Sequence, residues 1–418
     1  MGNMIGSGVF LLPASLAPFG GLAFGGWLIS AGGAVALALV FARLARENPA
    51  AGGIYAYSRA AFGDLAGFLV GWGYWTAVWV GCAALAIALV GYLDPFFPTV
   101  VRTPVLAAAA AIGAVWVLTF VNLRSVTSAG RVQVVTTALK VLPLLVIGIA
   151  GLAVLNPANF AVPARAADGL GVLAMLMAAA NMTMWALMGL ETATIPADSV
   201  KTPERTIPRA TVTGTVLAAA IYIISTGGVM GVLGPDALAH TTAPFADAAR
   251  RFFGNGGGLI VAAGGVISCF GALNGWILVQ GQLPGPIAAD GLFPKMFGRV
   301  GPRGTPVFSL VLGSILSSLL IAANFSRGLV SLFTFVIQLS TLSTLVPYVF
   351  CSLAGFMRGR RSLAGVIAFL FSMFAIAGAG PEVVYYGFLL LLAGLPMYVW
   401  VRRRGAAQGA RDVQDARV

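Results

Sequence analysis

The sequence predicts an all-α membrane protein with twelve transmembrane helices, and three observations carry that expectation. Charged residues make up 9% of the chain, against about a quarter in soluble domains. Hydrophobic residues make up 59%, and the mean hydropathy is +0.93. Apolar runs recur at the length of roughly 20 residues that a bilayer-spanning helix needs. A soluble fold of 418 residues has too small an interior to hide so much apolar surface. Lipid solvates it instead.

Taken in order, the runs are 1–17, 22–45, 64–93, 104–123, 132–155, 171–196, 208–233, 256–285, 305–324, 328–357, 363–380 and 383–401. Breakers separate them: Asn48-Pro49 with Gly52-Gly53, Asn156-Pro157, Gly234-Pro235 and Gly301-Pro302. The amphipathic stretch Pro244 to Phe253 reads as an interfacial helix between the seventh and eighth spans. Basic residues favour the cytoplasmic side. With the N-terminus inside, 19 of the 25 Lys and Arg fall in inner loops or the C-terminal tail, and five in outer loops. Lys140 lies within a span. Both termini are therefore expected in the cytoplasm.

Composition also excludes other classes. The net charge of +12 does not point to nucleic acid, because the basic residues sit at span ends and not along one face. Cys82, Cys269 and Cys351 lie in separate apolar runs, a spacing that fits neither a zinc site nor a disulfide framework. His240 is the single histidine. No cleavable signal peptide precedes the first run, and no phosphate-binding glycine loop occurs. The spans hold no paired carboxylates or His/Cys/Asp cluster, so neither an enzyme nor a metal or cofactor site is expected. No filter motif suggests a channel.

Functional positions stand out where the membrane rules are broken. Met1 to Val9 holds three glycines, Asn3 and Ser7, a poor continuous helix. Unwound backbone at membrane depth survives only where protein or a cavity satisfies it. Carriers use such breaks to aim helix ends at a substrate; a glycine face for close helix packing is the alternative. Glu191 is the carboxylate placed well inside a span. Its cost there makes a proton-linked or gating role the leading reading, with a structural hydrogen-bonded carboxylate as the alternative. Lys140 follows Arg131 by about two turns, and snorkelling to the interface is the simpler account of it. A place at a cation position is the other. Tyr74, Trp75, Trp185 and Trp276 fall mid-span, away from the interfacial belts. Asn274-Gly275 leaves room beside the Trp276 ring, whose face can hold a cation.

The segment Gly2 to Ala14 resembles the first-span signature of the amino acid–polyamine–organocation transporters, and within them the basic amino acid/polyamine antiporters that exchange arginine for agmatine. The likeness continues through Asn48–Tyr57, Gly91–Leu93 with Phe96–Pro98, Trp185–Thr192, Lys201–Pro208, Ala288–Pro294 and Thr344–Tyr348. It covers nearly all of the chain to about residue 400.

The resemblance implies two inverted five-helix repeats with spans one and six broken around the substrate, plus two further helices. Residues 1–401 would form one transporter domain. Its first repeat, 1–155, is expected to be N-terminally truncated, its second to be 171–357, and 363–401 to be helices eleven and twelve; 402–418 would be a basic cytoplasmic tail. At matching positions Ser7 and Gly8 would receive the substrate carboxylate. Backbone around Asn3, Met4, Trp185 and Met188 would hold the α-amino group. Trp276 would stack on the distal cation, and Ala77, Cys82, Leu85 and Ser340 would line the distal end. Tyr74 and Glu191 would couple protons and gating. Cys82 departs from the pattern, because a thiol is a weak hydrogen-bonding partner where the arginine/agmatine exchangers place an amide.

The implied function is exchange of a cationic, arginine-like amino acid for its agmatine-like amine by alternating access in the inner membrane, with a role in acid resistance. A proton-coupled permease for neutral amino acids on the same fold is the alternative. The expected partners are small amino acids or amines and the lipid bilayer, and the family commonly forms homodimers.

Overall fold

The computed structural model describes residues 1–161, 169–241, 243–324, 329–357 and 362–404, with side chains left undescribed at 169–170, 323–324, 329–341 and 357. The described residues are helical and contain no strand. In chain order the helices are α1 (Gly8–Leu16), α2 (Leu22–Glu47), α3 (Ile54–Phe62), α4 (Asp64–Gly91), α5 (Pro98–Arg102), α6 (Pro104–Arg124), α7 (Val126–Ala153) and α8 (Gly169–Met184). They continue as α9 (Pro203–Val232), α10 (Pro235–Ala239), α11 (Pro244–Gln282), α12 (Pro284–Ala289), α13 (Val307–Asn324), α14 (Leu329–Met357), α15 (Leu363–Gly378) and α16 (Pro381–Leu392).

Local chemistry sets the boundaries. Seven helices place proline in their first turn, at Pro98, Pro104, Pro203, Pro235, Pro244, Pro284 and Pro381, where the missing N–H costs nothing. α7 begins at Val126, six residues before the expected span 132–155, because Ser125 caps it by accepting from the Ser128 N–H at 3.0 Å. α9 likewise starts at Pro203 and carries Pro208 inside it. The helix from Pro244 is broken at Gly254, with φ 63° and ψ −157°, so the expected amphipathic segment is a separate stretch leading into the long span.

Among the described residues, eight helices are long and apolar enough to cross a bilayer, one of them Pro381–Arg404, in which α16 continues past a turn at Ala393-Gly394. Among the described residues, the shorter apolar helices Val307–Ala322, Leu342–Phe356 and Leu363–Gly378 fall within three of the remaining expected spans, and Gly8–Phe19 overlaps the first and ends two residues past it. The basic tail beyond Arg404 lies outside the described residues.

Two groups of helices meet around the broken segments. α2 packs against α8 and α9, α7 lies between α9 and α11, and α4 is flanked by α11 and α14. The α7–α9 crossing is close: a Cβ on Gly148 would stand 2.8 Å from the Ser225 Cα, and one on Gly151 would meet the Gly228 backbone. Small residues let helix backbones approach where lipid provides no hydrophobic drive.

Candidate functional site

The first break lies where the sequence is poorest in helix formers. Met1 to Ser7 forms turns and bends, and α1 begins only at Gly8. Its freed carbonyls find side-chain donors. Lys140 Nζ donates to the Gly2 and Ile5 carbonyls at 2.5 Å each. Ser268 donates to the Ile5 and Gly6 carbonyls at 3.2 and 3.0 Å, and the Tyr92 hydroxyl to the Ser7 carbonyl at 3.2 Å. Lys140 is fully buried. Snorkelling is therefore overturned: the ammonium is held inside the protein with two carbonyls within reach.

The second break ends α8 at Met184. Single 3-10 turns follow at Trp185–Leu187 and Leu190–Thr194, separated by Gly189 in the left-handed region at φ 97°. The turn is packed tightly. A Cβ on Gly189 would lie 3.2 Å from Trp276 Cζ2 and 3.5 Å from the Asn3 backbone carbonyl. Asn3, Gly189 and Trp276 thus meet at one point, with Tyr74 beside them at a ring separation of 6.3 Å from Trp276.

Glu191 sits two residues past Gly189 and is fully buried. Tyr74 donates to one of its oxygens and Tyr348 to the other. A carboxylate accepts only, so two phenol donors fit its ionised form. The Gly189 N–H donates to the Tyr348 hydroxyl at 3.4 Å, which ties the carboxylate to the break itself. Tyr348 lies in a quoted motif, yet its role was invisible without the fold that brings α14 to α4.

The remaining expected positions divide by exposure. Gly8, Leu85, Trp185, Met188 and Trp276 keep accessible surface, while Met4, Ser7, Ala77 and Cys82 are buried. Around the expected positions on α4, Gly81, Leu85 and Ala88 keep accessible surface, and Cys82 is buried in the core. The Ser340 side chain lies outside the described residues. The room at Gly275 is not beside the Trp276 ring. It is filled by the Asn3 amide, which a Cβ there would overlap. Gln133, Asn274 and Asn122, amides inside apolar spans, form a hydrogen-bonded run that reaches Asn3. Their polarity in such runs was the signal for them.

Charged groups link α3 to the end of α12. Tyr55 donates to Asp290 at 2.7 Å, and Arg59 pairs with Asp64 at 2.9 Å and with Asp290 at 2.8 Å. Arg402 reaches the other Asp64 oxygen at 3.0 Å. Burial, with the Asp290 carboxylate accepting its hydrogen bond, pushes the Tyr55 phenol well above its ordinary value. The hydrogen bond to Asp64 holds the Arg59 guanidinium still more firmly protonated. These groups therefore stay neutral and cationic, respectively, across ordinary pH.

Two unwound segments meet at an aromatic face with a buried carboxylate beneath, and this junction is the candidate site. Residues 1–397 match the amino acid permease family. The chain is 37% identical over 358 residues to the cadaverine/lysine antiporter of Escherichia coli (strain K12), covering 83% of this chain and 79% of that one. It is 30% identical over 415 residues to the putrescine transporter PotE of the same organism, covering 97% and 94%. Among solved structures, MhsT in complex with L-phenylalanine shares the fold, with a TM-score of 0.62, 14% identity, and coverage of 94% and 96%.

Proposed function

The chain belongs to the amino acid permease family, and from that premise we propose that it exchanges a basic amino acid for its decarboxylated amine across the inner membrane. It is an integral membrane transporter of the basic amino acid and polyamine group, not an enzyme. The observation that carries the substrate reading is the junction of Asn3, Gly189 and Trp276. The nearby start of α1 suits a carboxylate, while the Trp276 face suits a distal cation. Ser7 and Gly8 take the carboxylate, and the carbonyls near Met4, Trp185 and Met188 take the α-amino group. Leu85, with the buried Ala77 and Cys82 behind it, bounds the distal end, and Ser340 is assigned there by resemblance alone.

In this reading the four shorter apolar helices complete twelve spans, with both termini cytoplasmic and the helices paired as two inverted five-helix repeats. The repeats rock about the bound substrate, so that one face opens as the other closes. Glu191, held by Tyr74 and Tyr348, couples proton uptake to that motion, and the Arg59–Asp290 cluster closes the cytoplasmic end. Such an exchange exports a proton equivalent, which is the basis for a role in acid resistance.

The substrate pair follows from distal chemistry. A guanidinium presents five donors in a fixed fork, whereas an ammonium is compact and needs fewer partners. With Cys82 buried in the core, a lysine-like ammonium on Trp276 fits better than arginine. Competition binding with lysine, ornithine, arginine, cadaverine, putrescine, agmatine and leucine tests it. Lysine and cadaverine should compete most strongly, and leucine as the strongest competitor would overturn the reading in favour of a neutral amino acid permease.

A further inference from the structure

A run of amide side chains crosses the core and ends at the unwound first span. Asn122 Nδ2 donates to the Leu118 carbonyl at 2.9 Å and to Asn274 Oδ1 at 3.1 Å. Asn274 Nδ2 donates to the Ala129 carbonyl at 2.9 Å and to Gln133 Oε1 at 3.2 Å. Gln133 Nε2 donates to Asn3 Oδ1 at 3.1 Å.

The direction of this run is determined by its backbone partners. A peptide carbonyl can only accept, so Leu118 and Ala129 decide which end of Asn122 and of Asn274 is the NH2. Gln133 must then show its oxygen to Asn274 and its NH2 to Asn3. Asn3 must give its oxygen to Gln133, and its own NH2 has no partner among the described residues. Two glycines make space for this arrangement. A Cβ on Gly2 would overlap the Gln133 amide, and a Cβ on Gly275 would overlap the Asn3 amide and stand 3.0 Å from Gln133 Oε1. Asn122 and Asn274 are buried, whereas Asn3 keeps accessible surface at the junction with Gly189 and Trp276.

We propose that Asn3 is a donor-only recognition group, locked in that polarity by Gln133 and Asn274 as positioning residues, and that it discriminates the amino acid from its amine. The inference rests on the reading that this site binds both. The two substrates differ by one carboxylate. That group accepts from the Asn3 NH2, whereas an ammonium has donors alone and gains nothing from it. Beside the carboxylate contacts at Ser7 and Gly8, one polarised amide then adds a donor that only the amino acid can use, the kind of difference that sets specificity.

The test is calorimetric binding of lysine and of cadaverine to the purified full chain, wild type against Asn3→Asp and Gln133→Glu. Asn3→Asp keeps the bond from Gln133 and turns a second oxygen toward the site. Gln133→Glu can only accept, so it reverses the Asn3 amide. Each variant should weaken lysine tenfold or more while leaving cadaverine unchanged or tighter. Loss of both ligands by the same factor in both variants would reduce the amide run to a structural role and overturn the proposal. A wild type that binds neither ligand would instead overturn the substrate reading, and the discrimination with it.

Discussion

The Gly189 α-carbon lies against the Trp276 ring, close enough that a methyl group there would stand 3.2 Å from Cζ2. The contact joins the break in the sixth span to the aromatic face of the eighth. Gly189 also holds a φ of 97°, which costs an L-residue about 1–2 kcal/mol. Gly189→Ala should lower the thermal midpoint and abolish exchange. Gly113→Ala, in a helix with open space around it, should do neither. Equal melting of the two variants would show that the junction is not tightly packed.

Trp276 is proposed to hold the distal cation by its ring face. A desolvated cation–π contact contributes up to about 2 kcal/mol, or roughly thirtyfold in affinity. Trp276→Leu should weaken cationic substrates by about ten- to thirtyfold in a binding titration. An affinity within a factor of two of wild type would remove the ring from recognition.

Glu191 accepts from Tyr74 and Tyr348 at once, an arrangement that suits the ionised carboxylate. Protonation turns one oxygen into a donor, so one phenol must accept from it instead of donating. Glu191→Gln imitates that switched state at every pH, so transport measured from acid to alkaline conditions should lose its pH dependence. A profile that follows wild type would assign the pH response elsewhere.

Lys140 bridges two carbonyls of the unwound first span without reaching solvent. Hydrogen bonds to a charged group each contribute about 1.5–3 kcal/mol, and their loss leaves buried acceptors unpaired. Lys140→Met should destabilise the protein by several degrees and end exchange, while the variant still inserts in the membrane. Exchange at the wild-type rate would reduce the lysine to packing.

The link between α3 and α12 rests on partly exposed groups, so its contribution to stability is small and its effect should be kinetic. Asp290→Asn removes the acceptor shared by Tyr55 and Arg59. Amide hydrogen exchange across Ile54–Phe62 should quicken while lysine affinity stays within twofold. Unchanged protection would show that these contacts do not hold the end shut.

Much of this was legible in the chain, for identifiable reasons. Lipid imposes a length and an apolar composition on each span, so the span positions read directly from the sequence. Glycine and asparagine at Gly2–Gly8 marked the first break, because helix is costly there. Glu191 was conspicuous as a charge in an apolar run. Lys140 was misread, since snorkelling depends on which way a helix face points and the sequence does not say. Tyr348, Ser268, Tyr92 and Gln133 were missed because each acts across a distance in sequence that only the fold closes. Gly275 was understood as a space but assigned to the wrong occupant, the Trp276 ring instead of the Asn3 amide.

The central claim is obligatory exchange, and counterflow in proteoliposomes tests it most directly. Vesicles loaded with cadaverine should accumulate labelled lysine, and empty vesicles should take up almost none, even across a pH gradient. Uptake by empty vesicles driven by the pH gradient, to the level reached by loaded ones, would contradict it.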